Sequence, residues 1–211
     1  MSRPDLITYR EMTRQDWRNR LLHSHSHPSR KGGYRLIEAY LTAQAEAQRF
    51  IEVGFGTCFD FRQRFQSWHD EGLIDYTGYD CDEGQAGHAI AEYPDYDFRH
   101  GTFLDMEECD ISFTRYTFMH VAPHLMQPHL RAMLRATRGL AVVEWRLTPS
   151  NAHAHFNPPA HETPLGAWAN AYDVGVVDGI VKEHGFDIEK HEFGQGEMRG
   201  KSDTIYVMRK Q

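Results

Sequence analysis

Apolar positions along this chain change period from short continuous runs to helical spacing and back, and the changes mark out the elements. Phe50-Ile51-Glu52-Val53 is an almost wholly apolar run that stops at Gly54-Phe55-Gly56. Phe61, Phe65 and Trp68 then recur at helical spacing as far as Gly72, a residue suited to the left-handed stop beyond a helix. The pattern predicts a buried strand, a tight glycine turn and a helix, then a second strand over 74–79 that ends in Asp80. Further strands are predicted at 96–102 with its turn, at 110–115 and at 139–147. Upstream, Gly33 precedes a helix expected from about 34 to 49. Pro128 suits a first helical turn and Gly139 the position past a helix end, which predicts a helix over most of 128–138. Val174, Val177 and Val181 give a helical face closed by Gly185, and two last strands fall at about 187–193 and 203–209.

Two segments stand outside this pattern. Residues 1–35 read as an N-terminal extension: a helical stretch to about residue 22 with Leu6, Ile7, Trp17, Leu21 and Leu22 available to pack, then a His23-Ser24-His25-Ser26-His27-Pro28 loop. Residues 148–171 hold Pro149, Pro158, Pro159 and Pro164 with no period. A loop of that length inside a compact domain is usually a lid or a binding loop. It is expected to insert into a single domain over 36–211, with Trp168 burying its far end.

A glycine pair one residue apart after a strand admits several phosphate-binding readings. A dinucleotide fingerprint needs a third glycine at position 59, where Phe59 stands. A P-loop fails as well: Gly200-Lys201-Ser202 has Gln195 where the upstream glycine belongs, and a strand follows instead of a helix. What remains is an adenosine site without a pyrophosphate. Asp80, at the tip of the strand after the glycine loop, is placed to accept bonds from both ribose hydroxyls.

Taken in order, these motifs resemble the class I S-adenosylmethionine-dependent methyltransferases. Phe50 to Cys58 is similar to the family's E-x-G-x-G loop, with Cys58 where a third glycine is common. Gly78-Tyr79-Asp80 resembles its ribose-binding strand end, and Asp110 to Val121 resembles its fourth-strand motif, an Asp, an apolar run and then His-Val. The resemblance covers residues 36–211 and implies an α/β, Rossmann-like, doubly wound sheet of seven strands. That sheet would be mostly parallel with an antiparallel last strand, and helices would cover both faces. It implies S-adenosyl-L-methionine as cofactor, held by Glu52, Gly54, Phe55, Gly56, Asp80, Cys81, Thr102, Phe103 and Arg115. Thr102 departs from the Asp or Asn common there for the adenine amino group, so backbone groups, its own hydroxyl or Asp105 would take over that contact. Arg30, Lys31 or Arg35 would supply a cation for the cofactor carboxylate.

Methyl transfer from a sulfonium needs in-line positioning, a dry site and a base for a protonated nucleophile. Such groups belong at the carboxyl ends of the fourth and fifth strands and in the lid. Candidate catalytic residues there are His120, Tyr116 and Glu144, and candidate acceptor contacts are Trp145, His153 and His155. His120 and Tyr116 have structural readings too, as a loop-shaping residue and a pocket wall. The histidines at 153, 155 and 161 lack paired carboxylates, so no metal is expected.

The net charge of −7 argues against a large polyanionic partner, although Arg14, Arg18, Arg20, Arg30, Lys31 and Arg35 make the N-terminal part locally basic. A small-molecule acceptor is therefore expected, methylated on O or N. The alternatives are methylation of a protein or RNA, and a cofactor-binding protein without turnover. No run of 18 apolar residues is present, so no membrane partner is expected. No secretory pattern opens the chain, and Cys58, Cys81 and Cys109 form no C-x-x-C pair, which points to a reducing cytoplasm.

Overall fold

The computed structural model describes residues 29–148, 171–195 and 202–211. Helix α1 (Ser29–Leu41) leads through a turn into β1 (Gln48–Val53), whose last four residues are buried. After the glycine loop, a π-helical turn (Phe61–Phe65) runs directly into α2 (Gln66–Asp70), and together they bury Phe61, Phe65 and Trp68. Then follow β2 (Ile74–Asp80), α3 (Glu83–Glu92), β3 (Asp97–His100), a 3₁₀ turn (Phe103–Asp105) and β4 (Cys109–Arg115). A second 3₁₀ turn (Phe118–His120), α4 (Pro123–Ala136), β5 (Thr137–Thr148), β6 (Tyr172–Asp173), α5 (Val174–Glu183), β7 (Phe186–Gln195) and β8 (Ser202–Lys210) complete it.

The strands lie in the order β3-β2-β1-β4-β5-β8-β7, and the two-residue β6 pairs with the end of β5. β1 to β5 run parallel, and β8 is antiparallel to both β5 and β7. The expected seven-stranded sheet is therefore present, with β6 added to it. The chain order reverses between β1 and β4. In open α/β sheets that reversal opens a crevice at the carboxyl ends of the strands.

Alternation along each strand sorts the core into two layers. Phe50, Tyr76, Phe98, Ile111, Phe113, Leu140 and Val142 face α1 and the π-helical turn. Ile51, Val53, Tyr79, Ala141, Val143 and Trp145 face α4 and α5. The first layer is rich in rings, with Phe50 and Phe65 centroids 4.7 Å apart and Phe61 and Phe98 5.0 Å apart. Such pairs add about 0.5–1.5 kcal/mol each beyond their burial. Gly72 and Gly185 take positive φ (71° and 74°) at the expected helix stops.

Two helices differ from the sequence expectation. The first spans Ser29–Leu41, not 34–49. Residues 42–47 are helix-forming in composition but contain no large apolar side chain to bury, and packing decides short helices. Gly33 lies inside this helix, where a Cβ would stand 2.7 Å from Glu144 Oε1 and glycine keeps that approach open. The helix expected over 128–138 is Pro123–Ala136: Pro123 fills the first helical position, and Pro128 sits inside on the exposed side. Met126, Leu130, Met133 and Leu134 form the buried stripe that sets this register. Gly139 lies past the helix end and inside β5, as the strand expected over 139–147 has it, and Tyr40 and the Asp110 carbonyl (2.9 Å) occupy the space a side chain there would need.

Candidate functional site

The loop after β1 is shaped by four unusual backbone conformations and one carboxylate. Gly54, Gly56 and Cys58 all have positive φ (82°, 53° and 56°), as does Tyr116 (53°) at the end of β4. Non-glycine residues there are strained, and such residues gather at functional sites. Asp80 Oδ2 accepts from the Gly56 N–H at 2.8 Å, while Oδ1 accepts from the Asp82 N–H at 2.9 Å. Burial raises the Asp80 pKa to about 6, against the opposing pull of those two N–H bonds. Asp82 in turn caps α3 by accepting from the Gln85 N–H. Among the described residues, a Cβ on Gly56 would meet nothing within 4 Å, so this part of the loop faces away from them. Beside it the Thr57 hydroxyl is buried with no hydrogen-bond partner among the described residues.

β4 closes the other side. The Val53 carbonyl accepts from the Thr114 hydroxyl at 2.8 Å and from the Thr117 hydroxyl at 3.1 Å. The Tyr116 N–H donates to the Glu144 carbonyl at 2.7 Å, extending the β4–β5 pairing one residue past the strand. His120 closes the following turn through its N–H to the Thr117 carbonyl (2.9 Å), and its side chain is buried.

Beneath the loop, on the α1 face of the sheet, lies a buried polar network. Arg115 and Glu144 are register partners on β4 and β5 and form a two-pronged ion pair at 2.7 and 2.8 Å. Arg115 also donates to Asp60 in the helical turn after the loop and to the Tyr34 hydroxyl of α1 at 3.2 Å. The Tyr34 hydroxyl donates to Asp60. Burial alone would lower the Arg115 pKa, but the Asp60 and Glu144 carboxylates overcome it and leave it well above its ordinary value. Glu52 accepts from the Tyr76 hydroxyl at 2.6 Å. Burial, reinforced by the Asp60 charge, pushes its pKa well above the ordinary carboxylate range.

The expected site residues thus separate into groups. Gly54, Gly56, Asp80 and Cys81 gather at the carboxyl ends of β1 and β2, joined by the Cys81 carbonyl to His100 Nε2 at 3.2 Å. The Phe55 side chain is buried edge-on against Phe98, so only its backbone is left for a ligand. Thr102 and Asp105 form a closed capping box in which Asp105 Oδ2 takes both the Thr102 N–H and hydroxyl (2.8 and 2.9 Å), with Phe103 buried between them. Glu52, Arg115 and Glu144 belong to the network under the loop. Trp145 is wholly buried on the opposite face, between Phe118 and Tyr206, and its indole N–H has no partner among the described residues. Arg35 is exposed. The side chains of Arg30 and Lys31, His153, His155 and His161, and the segments 1–28 and 149–170 with the expected lid, lie outside the described residues. Asp60, Thr57, Tyr34 and Thr117 were not expected. Only the position of Asp60 and Thr57 beside the glycine loop hinted at them.

Among the described residues, no group of three or more His, Cys, Asp or Glu side chains is arranged to hold a metal ion, and no helix is long and apolar enough to cross a membrane. No protein-family model and no curated protein sequence matches the chain. Solved structures do. A 1,6-didemethyltoxoflavin-N1-methyltransferase from Burkholderia thailandensis, with its ligand and S-adenosylhomocysteine bound, superposes with TM-score 0.61 at 11% identity, covering 94% of this chain and 87% of that one. A magnesium protoporphyrin IX methyltransferase from Synechocystis with bound S-adenosylmethionine gives TM-score 0.61 at 11% identity over 87% and 80% of the two chains. The cyclase SpnF gives 0.60 at 12% identity over 83% and 80%. The chain has the Rossmann-like fold of the class I S-adenosylmethionine-dependent methyltransferases.

Proposed function

We propose that this protein is a methyltransferase that uses S-adenosyl-L-methionine to methylate an O or N nucleophile of a small molecule. The observation that carries the reading is the Gly54–Cys58 loop bound through its Gly56 N–H to the Asp80 carboxylate. Among the described residues, the space left above Gly56, a Thr57 hydroxyl without a partner and a carboxylate at the rim fit an adenosine-bearing cofactor. When bound, that cofactor supplies an activated sulfonium methyl group.

The chain's own part is to bind, orient and exclude water. Asp80, ionised above about pH 6, accepts from the ribose hydroxyls while holding the loop backbone. The backbone of Phe55, Cys81 and Phe103 and the hydroxyl of Thr57 line the approach to the loop. With Asp105 Oδ2 committed to Thr102, backbone groups read the adenine edge. Arg115 and Glu52 support the loop from below. His120 and Tyr116, at the carboxyl end of β4, stand where an acceptor proton leaves, and His120 is the better base because its ordinary pKa lies near neutrality. Trp145, expected as an acceptor contact, is wholly buried between Phe118 and Tyr206 and supports the end of β5 from within the core. His153 and His155 are proposed as further acceptor contacts.

A second reading, a cofactor-binding protein without turnover, draws support from one observation: Glu144, the β5 residue paired with the last residue of β4, is bound to Arg115. Incubation with labelled cofactor and fractionated cell extract tests both. Label in a small-molecule fraction with release of S-adenosylhomocysteine supports the enzyme. Cofactor binding without release in any fraction supports the binder, and label in protein or RNA redirects the acceptor class. No cofactor binding by calorimetry overturns both readings.

A further inference from the structure

The network under the glycine loop joins residues that the proposed reaction does not use. Cys58 has φ 56°, yet it is followed at once by helical turns, with the Arg62 N–H donating to its carbonyl at 3.1 Å. A non-glycine residue stays in that conformation only where its surroundings over-determine it. On the loop side, the Cys58 N–H donates to the Phe55 carbonyl at 2.8 Å. On the helix side, Asp60 two residues on receives Arg115 from β4 and the Tyr34 hydroxyl from α1. Arg115 is itself fixed by its two bonds to Glu144, and its guanidinium lies 5.0 Å from the Tyr34 ring centre and 5.3 Å from that of Phe113. Asp60 therefore cannot swing out with the start of the helical turn unless an ionised, buried contact is broken.

We propose that Asp60, held by Arg115 and Tyr34, is a positioning residue that clamps Cys58 in its left-handed conformation and so sets the shape of the glycine loop. Because Tyr34 belongs to α1, docking of that helix and formation of the loop are one event. The clamp itself is independent of what the loop binds; its consequence for affinity rests on the cofactor reading above.

Two cysteines make the test selective. Cys58 (2% exposed) lies in the loop, whereas Cys109 (1% exposed) lies at the amino end of β4, on the far side of the strand from the loop. Native alkylation with N-ethylmaleimide, read by mass spectrometry at each cysteine, reports local opening at one and global opening at the other. Tyr34→Phe and Asp60→Asn should speed alkylation of Cys58 by about tenfold, the strain of such a residue expressed as an opening equilibrium. Cys109 should keep its wild-type rate. Unchanged Cys58 rates, or equal acceleration at both cysteines, overturn the clamp. Calorimetry with S-adenosylhomocysteine adds a second arm: Asp60→Asn should bind about tenfold more weakly, and Cys58→Gly in the same chain should recover most of that loss. Failure of Cys58→Gly to recover affinity overturns the clamp even if Asp60→Asn binds weakly. A wild-type protein that does not bind the ligand removes the methyltransferase reading alone, and the alkylation rates still decide the clamp.

Discussion

Thr117 occupies the space that a side chain on Gly54 would need: a Cβ built on Gly54 would lie 2.7 Å from Thr117 Cγ2 and 2.9 Å from its Cβ. The first glycine of the loop therefore serves contact between β1 and the β4 turn, while Gly56 has none of the described residues above it. A glycine pair that looks uniform in sequence has two different jobs.

Gly54→Ala should accordingly cost about 3 kcal/mol or more, the sum of a left-handed residue and overpacking against Thr117. Gly56→Ala should cost only about 1–2 kcal/mol, its left-handed conformation alone. Denaturant unfolding of the two variants checks the order. Equal losses would mean that Thr117 does not constrain the loop.

Asp80→Ala should weaken S-adenosylhomocysteine binding by about 1–3 kcal/mol, since Gly56 loses its acceptor and the ribose hydroxyls lose theirs. The raised pKa of about 6 also gives a pH dependence. Ligand hydroxyls favour the ionised carboxylate, so affinity should fall as pH drops through about 6, and Asp80→Asn should flatten that slope. Stability moves the other way. The folded pKa lies above the unfolded value of about 3.9, so this residue's contribution is fully present below that value and is lost as pH rises through about 6. Calorimetry and denaturant melts over pH 4.5–7.5 read both trends.

Glu144→Gln removes one of the carboxylates facing a buried guanidinium, and breaking such a pair costs about 3–5 kcal/mol. Asp60 remains beside Arg115, so the lower end of that range is expected. A large fall in turnover with unchanged melting would instead make Glu144 the base.

His120→Ala should lower turnover by about 10²–10⁴-fold with ligand affinity unchanged, the usual contribution of a general base. Tyr116→Phe keeps the ring and removes the hydroxyl. A loss of similar size in that variant, with His120→Ala near wild type, would assign the proton to the tyrosine. Once an acceptor is identified, activity should change little between ~50 and ~200 mM salt, whereas a fall of about three decades would indicate many phosphate contacts and an RNA acceptor.

Much of the fold was legible because it is written locally. The apolar run into Gly54 and Gly56, the Phe61–Phe65–Trp68 spacing, the stops at Gly72 and Gly185 and the Val177–Val181 stripe each involve neighbours within a turn or two, where backbone sterics and burial period act directly. Asp80 was legible for the same reason, as the residue that ends a strand. The Pro128 expectation failed because proline suits a first turn without requiring one, and the buried stripe of α4 chose Pro123.

What only the tertiary structure decided is which polar groups meet. Arg115 and Tyr34 are 81 positions apart, and Arg115 and Asp60 are 55 apart. No local pattern distinguishes an arginine that reaches a ligand from one that ties two carboxylates and a tyrosine together. Likewise, Glu52 beneath a glycine loop has the same sequence context whether its carboxylate meets a ligand or the Tyr76 hydroxyl. Periodicity assigns a residue to a face of the sheet, because side-chain direction follows from backbone period. Its partner on that face depends on which strands become neighbours, and here the reversal between β1 and β4 brought Arg115 beneath the loop.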